Sequence, residues 1–228
     1  NRIISFHSRV ERAKEFSSNF ADVIELIEPK HRPDGSLWSS YVSGDMKTSD
    51  RMDKLNKLKD LKGAERGILS NARCLSEGVD VPTLDGIAFI DPKGSQIDII
   101  QAVGRAIRKI RGQKSQKKGT IVVPVFIQPD VEINQQIEDS NFRPVWSVLK
   151  ALRAHDEILA ETLDNFRTDI GRNVLSEGSL QKAHVKFDLP QTISQNFAKS
   201  LFTHLVEKTT SSWYFWYGLL LDYYKSQG

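Results

Sequence analysis

The chain has 228 residues, 39% hydrophobic and 27% charged, and a formal net charge of +3, a mix that suits a soluble globular protein with one good core and a smaller appendage. So small a net charge does not by itself mark a nucleic-acid binder, and the single Cys74 excludes an internal disulfide framework. No apolar run reaches the roughly 18 residues of a membrane span and no signal-peptide apolar region opens the chain, so no membrane and a cytoplasmic location are the expectations.

Residues 2–6, RIISF, read as a short buried strand that begins without an initiator Met, as a piece of a longer protein would. Residues 9–28 read as a helix, with Val10, Ala13, Phe16, Phe20, Val23, Ile24 and Ile27 at helical spacing. KHRPDGS (30–36) is a turn cluster, and LWSSYVSG (37–44) is a second strand. Asp50 to Lys62 is a polar helix whose inner stripe is Met52, Leu55, Leu58 and Leu61. GILS (67–70) and GIAFID (86–91) are the third and fourth strands, and TIVVPVFI (120–127) is the fifth.

Strands that alternate with helices, several of them without polar alternation, predict an α/β fold: a parallel sheet covered by helices on both faces. In such folds ligands sit at the carboxyl ends of the strands. The loops after Phe6, Val42, Leu69 and Asp91 are then the functional edge. Beyond about residue 129 the pattern turns mainly helical. Residues 142–170 read as one or two amphipathic helices. Residues 211–227 read as another, with Trp213, Trp216, Tyr217, Leu220, Tyr223 and Tyr224 as a wide apolar stripe of the kind usually buried in a core.

Between the fourth and fifth strands, QAVGRAIRK (101–109) places two arginines three apart, with a glycine just before the first. Ser95 and Asp98 form a capping-box pattern that starts a helix there. At about 100° per residue, Ile100, Val103, Ile107 and Ile110 fall on one side, and Gln101, Gly104, Arg105 and Arg108 on the other. A solvated outer face is the ordinary explanation of such charges. Gly104 argues for more, because a helix-interior glycine costs about 1 kcal/mol relative to Ala and suits close backbone approach. Upstream, Gly78 suits close approach of a phosphate or a backbone, and Asp80 sets a carboxylate near a strand end. From Arg105 to Lys118 there are seven Lys or Arg and no acid, which suits either a phosphate-attracting loop or a solvated linker.

Glu77, Gly78, Asp80 and Pro82 resemble motif V of the superfamily 2 helicases, and Gln101, Gly104, Arg105 and Arg108 resemble motif VI. IISFHSRVERAKEF (3–16) resembles motif IV, and VSGDM (42–46) the short motif that follows it. The wording is nearest to restriction-type translocases and to helicases with helicase-associated repeats. The resemblance covers residues 1–128, implied to be the second RecA-like domain. Residues 129–210 would be a helical extension, and 211–228 the start of a helicase-associated helical domain.

It implies an ATP site in a cleft shared with an N-terminal RecA-like domain that holds ATP and Mg²⁺. Arg105 and Arg108 would be catalytic, in the manner of arginine fingers, with Arg108 the first candidate. Gly78, Asp80, Gln101 and Gly104 would lie at the nucleotide or the interdomain contact. His7, Ser8, Arg9, Ser43, Gly44, Ser70, Asn71 and Arg73 would lie along a nucleic-acid backbone. DNA is the implied partner, with RNA left open. Arg73 departs from the Thr of other branches.

No phosphate-binding Gly-x-x-x-x-Gly-Lys-Ser/Thr loop and no Mg²⁺-binding acidic motif occurs in the sequence. The chain alone is therefore expected neither to bind ATP tightly nor to hydrolyse it. The five His and one Cys are scattered without ligand spacing, so no metal site is expected. Two other readings stay open: a non-catalytic nucleic-acid-binding or interaction module, and an unrelated doubly wound enzyme. The second would want a glycine-rich turn after the first strand, where HSRVER has no glycine.

Overall fold

The computed structural model describes residues 1–72, 74, 84–91, 99–100, 102–103, 120–126, 142–174 and 195–227. The chain divides into two compact units, Asn1–Pro124 and Val125–Gly228.

The first unit is built on five strands: β1 (Arg2–His7), β2 (Leu37–Ser43), β3 (Arg66–Ala72), β4 (Gly86–Phe89) and β5 (Thr120–Val122). Their order is β2-β3-β1-β4-β5, and every pairing is parallel. Helix α1 (Val10–Glu25) follows β1, and α2 (Thr48–Lys59) follows β2. The interior strands bury side chains on both faces, which is why they read as runs rather than as alternations.

The two faces differ in chemistry. Leu55 and Leu58 of α2, with Leu61 just past its end, close on Ile4, Val42, Leu69 and Leu84. Gly67 makes room for them, since a Cβ there would strike the ends of Leu58 and Leu61. On the other face lie Ser5, His7 and Ser70, and the His7 ring packs against Phe16 of α1, with centroids 5.0 Å apart. That face sets Ser5, His7 and Ser70 among the buried Ile68 and Ala72, and α1 buries Ala13 and Ser17. The expected stripe is therefore only partly the buried one: Val23 is 53% exposed and α1 stops before Leu26 and Ile27. Met52 likewise turns outward from α2.

At the amino ends of the strands, the Asp85 carboxylate accepts from the Arg2 N–H at 2.8 Å, and the Asp85 N–H donates to the Arg2 carbonyl at 2.9 Å. Strand β5 is shorter than the predicted 120–127. Pro124 has no N–H to give a ladder, and a short edge strand ends readily at such a residue. Between β4 and β5, residues 99–100 and 102–103 are helical, with Ile99, Ala102 and Val103 buried. The inward face thus runs through Ile99 and Ala102, with the expected Ile100 only half-buried.

The second unit contains α3 (Arg143–Arg153), α4 (Glu157–Gly171), α5 (Gln195–Thr209) and α6 (Ser212–Gln227). The stretch 142–170 is two helices. Asp156 caps α4 by accepting from the Leu159 N–H at 3.0 Å. Arg153 makes a two-oxygen contact with Asp164 at 2.8 and 2.9 Å. Trp146, Leu163, Phe166, Phe202, Leu205 and Val206 form the centre of the core.

Helix α6 packs closely on α4 at two glycines, with the Arg167 guanidinium over the Phe215 ring beside them. A Cβ on Gly218 would run into the Thr168 carbonyl, and one on Gly171 into the Phe215 carbonyl. Gly218 is the buried residue of α6, while Trp213, Trp216, Leu220, Tyr223 and Tyr224 are exposed and Tyr217 is 43% exposed. This overturns the expectation that the aromatic stripe is core: the close glycine contact turns it outward. Among the described residues no helix is long and apolar enough to cross a membrane.

Candidate functional site

Parallel pairing brings the carboxyl ends of the strands to one edge. His7 of β1 lies opposite Ala72 of β3, and Ala72 opposite Ser43 of β2. His7, Ser8, Arg9, Ser43, Gly44, Ser70 and Asn71 therefore gather along that edge. Arg9 and Gly44 are exposed and Ser8 is half-buried, whereas His7, Ser43, Ser70 and Asn71 are buried. Arg73, Gly78, Asp80, Gln101, Gly104, Arg105 and Arg108 lie outside the described residues.

A polar chain runs beneath the edge. The Ser5 hydroxyl donates to the Ser70 hydroxyl at 3.1 Å, and the Ser5 oxygen lies 3.0 Å from His7 Nε2. Which of the Ser5 hydroxyl and the His7 ring donates in that contact depends on the ring tautomer. Burial holds His7 below its ordinary pKa near 6.5; Asp91 pulls the other way, and Arg12 adds to the lowering. An unfolded chain then binds a proton that the folded chain refuses, so folded stability should fall as pH drops from 6.5 toward the lowered value. Denaturant midpoints measured from about pH 8 to about pH 5 should decline in that window, and less steeply for His7→Gln. Equal slopes in the two proteins would remove His7 as the cause.

At the turn after β1, the Asp91 carboxylate is the organising group. Its Oδ2 accepts from the Ser8 N–H at 3.3 Å and from the Ser8 hydroxyl at 3.2 Å. Its Oδ1 accepts from Arg12 Nη1 at 2.7 Å. Arg9, at the N-cap of α1, makes no capping bond and presents its charge outward. After β2, Arg51 reaches back from α2 to the Gly44 carbonyl at 3.2 Å and to the Thr48 hydroxyl at 3.2 Å. Among the described residues nothing lies within 4 Å of where a Gly44 Cβ would be, which leaves space beside that backbone. After β3, Asn71 Oδ1 accepts from the Cys74 N–H at 3.3 Å and from its thiol at 3.1 Å. Burial raises the Cys74 pKa, which keeps the thiol protonated and able to donate.

Sequence reasoning marked the loop after Asp91 but did not assign Asp91, Arg12, Arg51 or Ser5 a role. A signal was present for Asp91 alone, an acid at the end of an apolar strand. Among the described residues no cluster of three His, Cys, Asp or Glu could hold a metal ion.

Residues 1–110 match the family of the helicase conserved C-terminal domain. The candidate helicase 22 of Sulfolobus islandicus filamentous virus is 28% identical over 109 residues, which are 48% of this chain and 18% of that protein. The candidate ATP-dependent helicase IRC3 of Saccharomyces cerevisiae is 32% identical over 104 residues, 45% of this chain and 15% of that protein. Among solved structures, the ATP-dependent Type ISP restriction-modification enzyme LlaBIII bound to DNA superposes with a TM-score of 0.71 at 28% identity, over 92% of this chain and 13% of that one. The chain thus spans less than a fifth of the length of each of these relatives. The segment 1–110, which holds four of the five parallel strands, is a helicase conserved C-terminal domain, the RecA-like C-terminal domain of the superfamily 2 helicases.

Proposed function

We propose that the chain is the C-terminal motor domain of an ATP-dependent DNA helicase or translocase. In this reading it supplies Arg105 and Arg108 to an ATP site completed by an N-terminal RecA-like domain, which holds the nucleotide and Mg²⁺. The observation that carries it is the pattern Gln101, Gly104, Arg105, Arg108 inside a segment that matches the helicase family. Ile99, Ala102 and Val103 are buried, and positions 101, 104, 105 and 108 fall between them in a helical repeat of the sequence, which supports a role for the arginines apart from the core.

Phosphoryl transfer asks a protein mainly for positioning and charge stabilisation, and a planar guanidinium suits phosphate oxygens. Gln101 would couple the nucleotide to the interdomain contact, with Gly78 and Asp80 close to it. Ser8, Arg9, Arg73 and the Gly44 backbone would meet the nucleic-acid backbone without reading sequence. The buried His7, Ser43, Ser70 and Asn71 would shape that rim from below. The LlaBIII enzyme was solved bound to DNA, which supports DNA as the polymer. Its coverage of 92% of this chain also favours a second, narrower reading: the translocase part of a restriction-modification system. Residues 129–210 and 211–228 would then be a helical extension and the start of a further helical domain.

Purified alone, the chain should hydrolyse no ATP above background. Joined to a domain that carries a phosphate loop, it should hydrolyse ATP faster when DNA is added. Turnover by the chain alone, or a joined protein indifferent to DNA, would overturn the assignment.

A further inference from the structure

We propose that Asp91 is a positioning residue that links nucleic-acid contact to the segment bearing the two arginines; the proposal rests on the function given above. The strand order β2-β3-β1-β4-β5 reverses beside β1, since the chain leaves β1 toward β2 and later resumes on the far side with β4 and β5. The carboxyl ends of β1 and β4 flank that reversal, where open α/β sheets place their ligands.

Asp91 stands just past the end of β4 and grips the turn after β1. Its own N–H donates to the Phe6 carbonyl at 3.1 Å. Its carboxylate takes the Ser8 N–H, the Ser8 hydroxyl and the Arg12 guanidinium. One residue thus fixes the turn through both main chain and side chain. Ser8 precedes Arg9, the exposed cation of that turn. In sequence, Asp91 opens the stretch that runs on to Arg105 and Arg108.

A carboxylate repels phosphate, so Asp91 is unsuited to touch a nucleic-acid backbone itself. Its Oδ1 is neutralised by Arg12, and its side chain is only 20% exposed. The geometry points to a brace. The end of β4, through Asp91, thus helps to hold Ser8 and Arg9 in place, so a shift at either place is passed to the other.

The test uses the full-length protein that contains this chain, with duplex DNA as the probe. ATP turnover with and without DNA, the DNA concentration for half-maximal stimulation, and amide hydrogen exchange at Ser8 and Arg9 are compared for wild type, Asp91→Ala, Asp91→Asn and Arg12→Ala. Asp91→Ala should raise the half-maximal DNA concentration about tenfold or more, the scale of losing hydrogen bonds to a charged group, and speed exchange at Ser8 by a similar factor. Turnover without DNA and the KM for ATP should stay within about twofold. Asp91→Asn, which keeps an oxygen for Ser8, and Arg12→Ala, which keeps both Ser8 bonds, should fall between. A parallel loss of basal and stimulated turnover would reduce Asp91 to a folding role and overturn the proposal. Unchanged DNA dependence beside a stimulated wild type would overturn it too. A wild type that DNA does not stimulate would instead sink the functional reading, and unchanged exchange at Ser8 in Asp91→Ala would then sink the brace as well.

Discussion

Arg108→Ala, made in a protein that joins this chain to a nucleotide-binding first domain, should lower ATP turnover by about 10³-fold or more, the scale of removing an arginine finger. The apparent affinity for ATP should change far less, because charge builds on the phosphoryl oxygens mainly in the transition state. Arg108→Lys should recover little. A lysine offers a point charge in place of a rigid fork and cannot bond two oxygens in one plane. Arg105→Ala should also depress turnover. Steady-state kinetics at saturating ATP and DNA decides the matter: turnover unchanged in Arg108→Ala would refute the finger assignment.

Leu69→Ala should be the most damaging single truncation in the sheet. Leu69 is fully buried on β3, between Ile4 of β1 and the leucines of α2. Removing three carbons there leaves a cavity that neighbouring strands, fixed by parallel ladders, cannot close. Such truncations cost about 2–5 kcal/mol. Denaturant unfolding followed by far-UV dichroism and by Trp38 emission, whose ring lies at the margin of that cluster, should show the first unit's midpoint move down. A loss below about 1 kcal/mol would mean that the cluster is not the core of the unit.

The sheet was legible because its interior strands are short apolar runs bounded by turn residues. The four strands from RIISF to GIAFID lie where their side chains predict. What the pattern could not supply was the character of each face. Ser17 reads as surface and is buried, and Val23 reads as core and is exposed, because the face that α1 covers, with Ser5, His7 and Ser70 beside Ile68 and Ala72, comes together only once β1 and β3 pair. The misreading of α6 has the same origin. Periodicity weighs side chains, and it gives no weight to a helix held through Gly218, which has none.

At the candidate site, motif spacing picked out the strand-end residues and the two arginines. It could not show that His7, Ser43, Ser70 and Asn71 are buried while Arg9 and Gly44 are open. Nor could it show Asp91 as the partner of Ser8 and Arg12, residues 83 and 79 positions away along the chain. Nothing local in DPKG announces a contact of that range.

The outward turn of α6 also gives the protein an optical reporter. Trp213 and Trp216 are 65% and 63% exposed, whereas Trp146 is enclosed. Two indoles in water emit at long wavelength and are quenched by dissolved iodide, so the colour and quenching of the native fluorescence report directly on whether that helix is wet.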